Sequence, residues 1–203
     1  METDPIADTI ARARQGDAAA FDAIIDRYAD RLYGYFYRMT ASRHDAEDLL
    51  QELFVRLVRA VGSYQHEGRF DAWLFRMAAN LARDRARQIG RSRRAGFGPS
   101  GSRSEALDRQ PARDNPDPAA RMERIEQIDQ LQQALNELPV AEREVLTLRH
   151  FSQLSFRQIA EMMGTPLGTA LARGHRGLER LRTRLAGADF EESGSGGTAE
   201  DEG

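Results

Sequence analysis

The chain has 203 residues and a net charge of −3, which allows one large domain or two small ones. It contains no cysteine, and its four histidines form no metal-binding pattern, which excludes disulfides and thiolate chemistry and argues against a metal centre. The N-terminus METDPIADTI lacks the apolar core of a signal peptide, and no apolar run approaches the roughly 20 residues that span a bilayer. We expect a soluble cytoplasmic protein without a cofactor or membrane insertion.

Apolar residues recur at helical spacing through most of the chain, and strand signals are nearly absent. This pattern predicts an all-α fold. In the N-terminal half we predict helices over 17–40, 44–61 and 70–89, and their aromatic residues should form the core of a small bundle. Val58 is among the residues that we place on the inner side of the second helix.

The C-terminal half should hold four helices, beginning with 122–138 and 140–151 and followed by a helix-turn-helix over 154–185. Ser155 and Gln158 form an S-x-x-Q capping box, and Gly164 suits a left-handed helix end. Thr165 should cap the last helix, with Pro166 at its first position. Four leucines of that helix are predicted to point inward: Leu171, Leu178, Leu181 and Leu185.

Two segments lack helical periodicity. The first, 91–118, is rich in Gly, Ser, Pro and Arg and is predicted to be a flexible basic linker. The second, 187–203, carries six acidic residues and no basic one and is predicted to be a disordered tail. They divide the chain into domains at 15–90 and 119–186, and we expect these two halves to move independently.

Three clusters of polar residues are candidate functional sites. Acids crowd the start of the second helix over 45–52, the loop 63–71 mixes aromatic and charged groups, and arginines line the third helix. A protein-docking face, a base-binding loop and a phosphate-binding stripe would explain them. The alternatives are helix-dipole acids, a plain connector and a solvated basic face. The residues alone favour the plain connector for the loop, and Arg91, Arg93 and Arg94 favour nucleic acid for the arginine side. All 29 basic residues are arginine, a side chain suited to phosphate and guanine.

Three motifs in order resemble one known family. DAEDLLQELFVRL, then GRFDAWLFRMAANLARDRAR, then LNELPVAEREVLTLRHFSQLSFRQIAEMMGTPLGTALARGHRGLERLR resemble the bacterial extracytoplasmic-function (ECF) sigma factors of the sigma-70 family, over about 18–186. The resemblance implies two small helical domains, region 2 and region 4, joined by a flexible linker. It also implies an alternative sigma factor, not an enzyme, that binds core RNA polymerase, directs promoter-specific initiation and helps to melt the start site.

The resemblance also implies partners and site residues. Region 2 would dock on the beta-prime clamp helices of polymerase and region 4 on its beta flap, and an anti-sigma factor is an expected further partner. The polymerase-binding candidates are Asp45, Asp48, Leu49, Gln51, Glu52 and Phe54. The candidates for minus-ten DNA are Ser63, Tyr64, His66, Arg69, Phe70, Arg76, Asn80, Arg83 and Arg87. The candidates for minus-thirty-five DNA are Ser155, Arg157, Thr165, Thr169, Arg173, His175, Arg176 and Arg180.

The last helix departs from the family pattern. Leu171 stands where members commonly have a basic residue, and Gly174 and Gly177 lie inside the helix, where each glycine costs about 1 kcal/mol relative to alanine. We therefore expect weaker or altered upstream recognition. Two other functions remain open: a helix-turn-helix regulator with a sensory or dimerising bundle, and an interaction module that mimics a sigma factor. The first would not need the acidic cluster, and the second would not need the arginine stripe.

Overall fold

The computed structural model of the protein describes residues 6–65, 68–94 and 118–194, and these ranges contain eight α-helices and no strand. The all-α prediction is therefore confirmed. The helices are α1 Ala7–Arg14, α2 Ala18–Thr40, α3 Arg43–Ala60, α4 Phe70–Arg94, α5 Pro118–Glu137, α6 Val140–Phe151, α7 Phe156–Met163 and α8 Leu167–Gly194. A short 3-10 turn, Val61–Ser63, follows α3. We call α1–α4 the N-terminal domain and α5–α8 the C-terminal domain.

Helix α2 is the central element of the N-terminal domain. It begins after Asp17, whose carboxylate accepts a hydrogen bond from the backbone N–H of Ala19 at 3.0 Å. Arg12 donates a hydrogen bond to the same carboxylate, and this contact lowers the pKa of Asp17. The residues that α2 buries recur every three or four positions, as an amphipathic helix requires: Ala20, Ile24, Tyr28, Leu32, Tyr35 and Phe36.

Helix α1 is an element that the sequence did not predict. It spans only eight residues, yet it buries Ile10 and Ala13, and Ile6 immediately before it is also buried. The helix packs on α2 and on the 3-10 turn. Helix α1 therefore precedes the predicted start of the domain at residue 15, because an apolar pattern of only about two turns gives too weak a periodicity to detect.

Helices α3 and α4 complete the N-terminal domain and are joined by an ion pair. Ser42 caps α3 through a hydrogen bond from the Asp45 backbone N–H at 3.2 Å. The Asp45 carboxylate in turn accepts from the Arg85 guanidinium on α4, with Nε at 2.9 Å. Val58, predicted to point inward, is 54% exposed. That prediction was wrong because the buried line of α3 runs through Ala46, Leu49, Leu53 and Leu57.

The helix-turn-helix is formed by α7 and α8. The predicted capping box is confirmed, because Ser155 and Gln158 bond reciprocally at the start of α7. Gly164 takes the left-handed conformation (φ +63°) that closes the helix. The predicted cap at Thr165 was wrong. Its N–H bonds back to the Ala160 carbonyl at 3.0 Å, and its buried hydroxyl has no hydrogen-bond partner among the described residues.

The inward face of α8 also differs from the prediction. Leu171 and Leu178 are 45% and 42% exposed. The positions that face the domain core are Ala170, Gly174 and Gly177. A Cβ added at Gly174 would lie 2.7 Å from Phe156 Cε1, and one at Gly177 would lie 3.0 Å from Leu146 Cδ1. The glycines allow α8 to approach α6 and α7 closely, so they serve packing in this chain.

Gly174→Ala should therefore destabilise the protein, although alanine is the better helix former. The gain of about 1 kcal/mol in helix propensity is outweighed by overpacking against Phe156, which typically costs about 1–3 kcal/mol. Thermal unfolding of the full chain measures the difference. Gly168→Ala is the matched control, because its added Cβ meets nothing within 4 Å. A Gly174→Ala variant as stable as Gly168→Ala would contradict the packing role.

The two domains are in direct contact, with α6 packed on α2 and α7 on α4. The ring of Phe151 lies over bare backbone at Gly34, where an added Cβ would be only 2.5 Å from Phe151 Cε1. Arg31 Nε donates to the Phe151 carbonyl at 2.8 Å, and Arg38 Nη1 donates to Gln132 Oε1 at 3.1 Å. The sequence predicted two halves moving independently, whereas the structure joins them through buried apolar groups and arginine hydrogen bonds.

Two predicted boundaries fall inside helices. Helix α4 continues through residues 91–94, which were assigned to the linker, and α8 continues through residues 187–194, which were assigned to the tail. Each helix therefore runs beyond the last strongly periodic apolar residue. The remainder of both segments, 95–117 and 195–203, lies outside the described residues. None of the helices in the described ranges is long and apolar enough to cross a membrane.

Candidate functional site

One exposed face of α3 combines acidic, amide and apolar side chains. Asp48, Gln51 and Glu52 are exposed as predicted. Val55 and Val58 lie on the same face and are 50% and 54% exposed. Glu52 accepts a hydrogen bond from Arg56 at 2.6 Å, and Asp48 lies 3.5 Å from His44 Nε2. We call these five residues, Asp48, Gln51, Glu52, Val55 and Val58, the α3 face.

Three of the predicted polymerase-binding residues do not belong to the α3 face. Asp45 is largely buried in its ion pair with Arg85. Leu49 is buried in the core, and Phe54 is partly buried against it. The sequence places them beside the acids, but the helix turns them toward α2 and α4. In this structure Leu49 packs in the core, Phe54 packs against it and Asp45 pairs with Arg85, so these three residues lie off the α3 face.

The exposed side of α4 carries a second polar face. Arg76, Asn80, Arg83 and Arg87 are spaced by four, three and four residues and therefore share one side of the helix. Arg76, Asn80 and Arg87 are exposed, and Arg83 is partly exposed. Arg83 Nη1 donates to Asn80 Oδ1 at 3.2 Å, and Arg87 pairs with Asp84 at 2.6 Å. We call the four residues the α4 stripe.

The contact between domains occupies one member of the α4 stripe. Arg83 Nη2 lies 2.7 Å from Glu144 Oε1, and the Glu144 side chain is buried on α6. Tyr35 is buried beside them. Burial is the main cause of the raised pKa of Tyr35. The negative charge of Glu144 raises this pKa further, and the positive charge of Arg83 lowers it. Arg83 therefore binds the C-terminal domain in this arrangement of the chain.

The loop before α4 contains an aromatic cluster. The ring centroid of Tyr64 is 4.5 Å from that of Trp73 and 5.5 Å from that of Phe70, which also contacts Tyr28 edge-on. Tyr64 and Phe70 are buried in the core, whereas their predicted contact with DNA requires exposed side chains. Ser63 and Arg69 are exposed as that prediction requires. His66 lies outside the described residues.

The helix-turn-helix presents the third candidate surface. Arg157 and His175 are exposed, and Thr169 and Arg173 are partly exposed. Ser155 is exposed but its hydroxyl is engaged in the capping box. The structure brings these residues to the α7–α8 unit, as predicted. Thr165 differs because its hydroxyl is buried.

Two predicted DNA arginines instead bind a buried carboxylate. Glu142 Oε1 accepts from Arg176 Nε at 3.3 Å, and Glu142 Oε2 accepts from Arg180 Nη1 at 2.6 Å. Both arginines keep about half of their side-chain surface exposed. Arg173 has no ion pair among the described residues. Glu142 therefore holds α8 against α6 and leaves Arg173 as the arginine in the first half of α8 that is available to a ligand.

Sequence reasoning missed Val55, Glu142 and Glu144. Val55 lies three residues after Glu52 and seven after Asp48, so helical spacing alone could have placed it on the α3 face. Glu142 lies in the first turn of α6, where an acid is expected for the helix dipole. Nothing in the sequence marks Glu144 as the partner of Arg83, because they are 61 positions apart.

Family models match both domains. The model of sigma-70 region 2 matches residues 24–92, and the model of sigma-70 region 4 matches residues 128–181. The first covers α2–α4 and the second covers most of α5–α8. The fold and the three surfaces thus define a two-region protein of the sigma-70 class.

Curated relatives narrow this class. The chain is 39% identical to ECF RNA polymerase sigma factor SigE of Mycolicibacterium smegmatis over 84% of this chain and 65% of that protein. It is 34% identical to ECF RNA polymerase sigma factor SigW of Bacillus subtilis over 87% of this chain and 94% of that protein. The chain belongs to the ECF sigma factors of the sigma-70 family. It is an alternative sigma factor that directs transcription initiation, and not a helix-turn-helix regulator of another class.

Solved structures share the fold. CnrH, solved with the cytosolic domain of CnrY, superposes with a TM-score of 0.63 at 23% identity, over 88% of this chain and 96% of that one. The sigma factor RpoE of Bartonella quintana, solved with the anti-sigma factor NepR, gives a TM-score of 0.64 at 23% identity, over 82% of this chain and 96% of that one. These matches confirm the two-domain helical architecture.

Proposed function

We propose that this sigma factor divides its work among three surfaces: the α3 face binds core RNA polymerase, the α4 stripe and its loop bind minus-ten DNA, and the α7–α8 unit binds minus-thirty-five DNA. The observation that carries the proposal is their separation. Each surface lies on a different helix, and each has a distinct chemistry. We also propose that the chain is not an enzyme and acts in the cytoplasm, where its polymerase partner would be.

The α3 face suits a protein partner better than a nucleic acid. Asp48 and Glu52 would repel phosphates, and two exposed valines, Val55 and Val58, follow them along α3. An acidic patch beside an apolar one favours a basic partner surface, because complementary charge raises the association rate and fixes orientation. The beta-prime clamp helices of polymerase are the partner that family membership suggests.

The α4 stripe suits single-stranded or melting DNA. Arg76, Arg83 and Arg87 can bind phosphates, and Asn80 between them can hydrogen-bond a base edge. Ser63 and Arg69 in the preceding loop extend this surface beyond the start of α4. Extruding a base costs a few kcal/mol of stacking, which contacts along the stripe would offset. Arg83 must leave Glu144 before it can take part.

The α7–α8 unit suits duplex DNA. A helix-turn-helix places the N-terminal part of its second helix in the major groove. Thr169 and Arg173 lie in that part of α8.

We further propose an anti-sigma partner; the Bartonella structural relative was solved with one. Copurification from a lysate that contains a tagged chain would test for such a partner, and recovery of polymerase subunits alone would contradict it.

Reconstitution with purified core polymerase tests the whole proposal. The full chain should form a stable complex with core polymerase and confer initiation at a specific subset of promoters in a run-off transcription assay. Core polymerase without the chain is the control. Absence of complex formation, or transcription that does not depend on promoter sequence, would contradict the proposed function.

Arg173→Ala should impair binding of this holoenzyme to its upstream element without weakening the complex with core polymerase. If Arg173 contacts a base, the loss is about 1–3 kcal/mol and confined to one position. If it contacts a phosphate, all sequences weaken alike and the salt slope falls by about one unit. Arg182→Ala removes a second exposed arginine from the same helix and is the matched control. Equal affinities for the wild type and Arg173→Ala would contradict the role of α8 in DNA binding.

A further inference from the structure

Helix α8 exposes an apolar side chain at a position where DNA binding would ordinarily favour a polar one. Leu171 lies in the second turn of the helix and is 45% exposed. Its neighbour one turn earlier, Leu167, is 39% exposed. A leucine at this position gains nothing from water, and the positions of α8 that face the domain core are instead Ala170, Gly174 and Gly177. Leu171 is therefore free to contact a ligand.

The charge around Leu171 favours a nucleic acid as that ligand. The segment 155–186 carries six arginines and two acids. A surface of this charge attracts the phosphates of duplex DNA and repels a basic protein surface. The location also fits, because the first turns of the second helix in a helix-turn-helix are the part that reaches base edges in the major groove.

Within the major groove, only thymine presents a methyl group. Cytosine carries only a hydrogen at the same C5 position, and the edges of adenine and guanine are read through hydrogen-bond donors and acceptors. Leucine can make no hydrogen bond, so it cannot read those edges directly. It can bury a methyl group by van der Waals contact and exclude water from it.

We infer that Leu171 is a specificity-determining residue that reads the C5 methyl of a thymine in the upstream promoter element. The inference rests on the proposed function of α8, and it adds the chemical group that one residue recognises. Arg173 lies two positions further and points to a different side of α8, so it would make a separate contact. A methyl contact gives the helix a preference that its arginines alone could not give.

Replacing thymine by uracil isolates this contact, because uracil keeps the same base pairing and lacks only the methyl. In vitro selection with the wild-type holoenzyme would first supply its upstream element. Each thymine of that element is then replaced singly by uracil, and binding is measured for wild-type and Leu171→Ala holoenzymes. We expect one replacement to weaken wild-type binding about fourfold, the effect of one buried methyl-sized group. The same replacement should have no effect on Leu171→Ala.

Leu178→Ala is the matched control, since Leu178 is also an exposed leucine of α8 but lies two turns further from the helix start. It should keep the wild-type sensitivity to uracil. An element without thymine, or a uracil effect equal in the wild type and Leu171→Ala, would overturn the inference. So would a Leu171→Ala defect in binding core polymerase with unchanged DNA binding, which would show a protein contact. If the wild-type holoenzyme selects no upstream element, the proposed function of α8 fails as well.

Discussion

Reversing two charges on the α3 face, Asp48→Arg with Glu52→Arg, should weaken binding of the chain to core polymerase by at least about tenfold. Both acids are exposed on the α3 face, ahead of its two exposed valines, so the change introduces like charges where a basic partner would dock. Like-charge contacts in an interface cost several kcal/mol. Titration of labelled core polymerase with the purified chain measures the loss directly.

The chain offers a close control for this experiment. Asp22→Arg with Asp26→Arg changes the net charge by the same amount, at the same spacing of four residues, on the exposed side of α2. Its affinity for core polymerase should stay within about twofold of the wild type, because surface ion pairs far from an interface contribute little. Circular dichroism should show unchanged helix content in both variants. Equal losses in the two variants would show that only net charge matters and would contradict a specific α3 face.

Gly34→Leu should separate the two domains while leaving each folded. The Phe151 ring occupies the space that any side chain at position 34 would need, and a Cβ there already falls 2.5 Å from it. A leucine must displace the Phe151 ring. That movement would also disturb the hydrogen bond that Arg31 donates to the Phe151 carbonyl across the domain interface. Overpacking of this kind costs about 1–3 kcal/mol, and this cost destabilises the interface between the domains. Leucine is a better helix former than glycine, so α2 itself should stay folded.

Distance measurement between two spin labels would detect the separation. The chain has no cysteine, so Asp26→Cys and Glu179→Cys would be the only labelling sites, one exposed on each domain. Gly34→Leu should lengthen and broaden the distance distribution. Gly90→Leu, at a helix glycine with open space around it, should not. An unchanged distribution in Gly34→Leu would show that the domains stay docked despite the displaced ring.

Helix positions were predictable because their signals are local. The pair Ser155–Gln158 caps α7 in the structure as predicted, and this capping box is recognisable from four neighbouring residues. The core of α2 followed from apolar spacing alone. The acidic start of α3, the arginine side of α4 and the helix-turn-helix also stood out, so each of the three surfaces was located to within one or two helices.

The details that failed depend on contacts between distant segments. The inner face of α8 was misjudged because leucines were favoured over glycines, and only the nearness of Phe156 and Leu146 shows why glycine is needed there. The pairing of Glu142 with Arg176 and Arg180 likewise spans more than 30 positions. Helical spacing identifies which residues share a side, but not which side faces a neighbouring helix.

The aromatic cluster of the loop before α4 gives the molecule a built-in optical reporter. Trp73 is the only tryptophan in the chain, and its indole lies 4.5 Å from the Tyr64 ring, partly buried. All indole fluorescence of this chain thus originates beside the loop proposed to meet melting DNA. Trp73 can be excited selectively at the red edge of the indole absorption band. Its emission would then show whether the loop becomes exposed to water or stacks on DNA bases, without any added label.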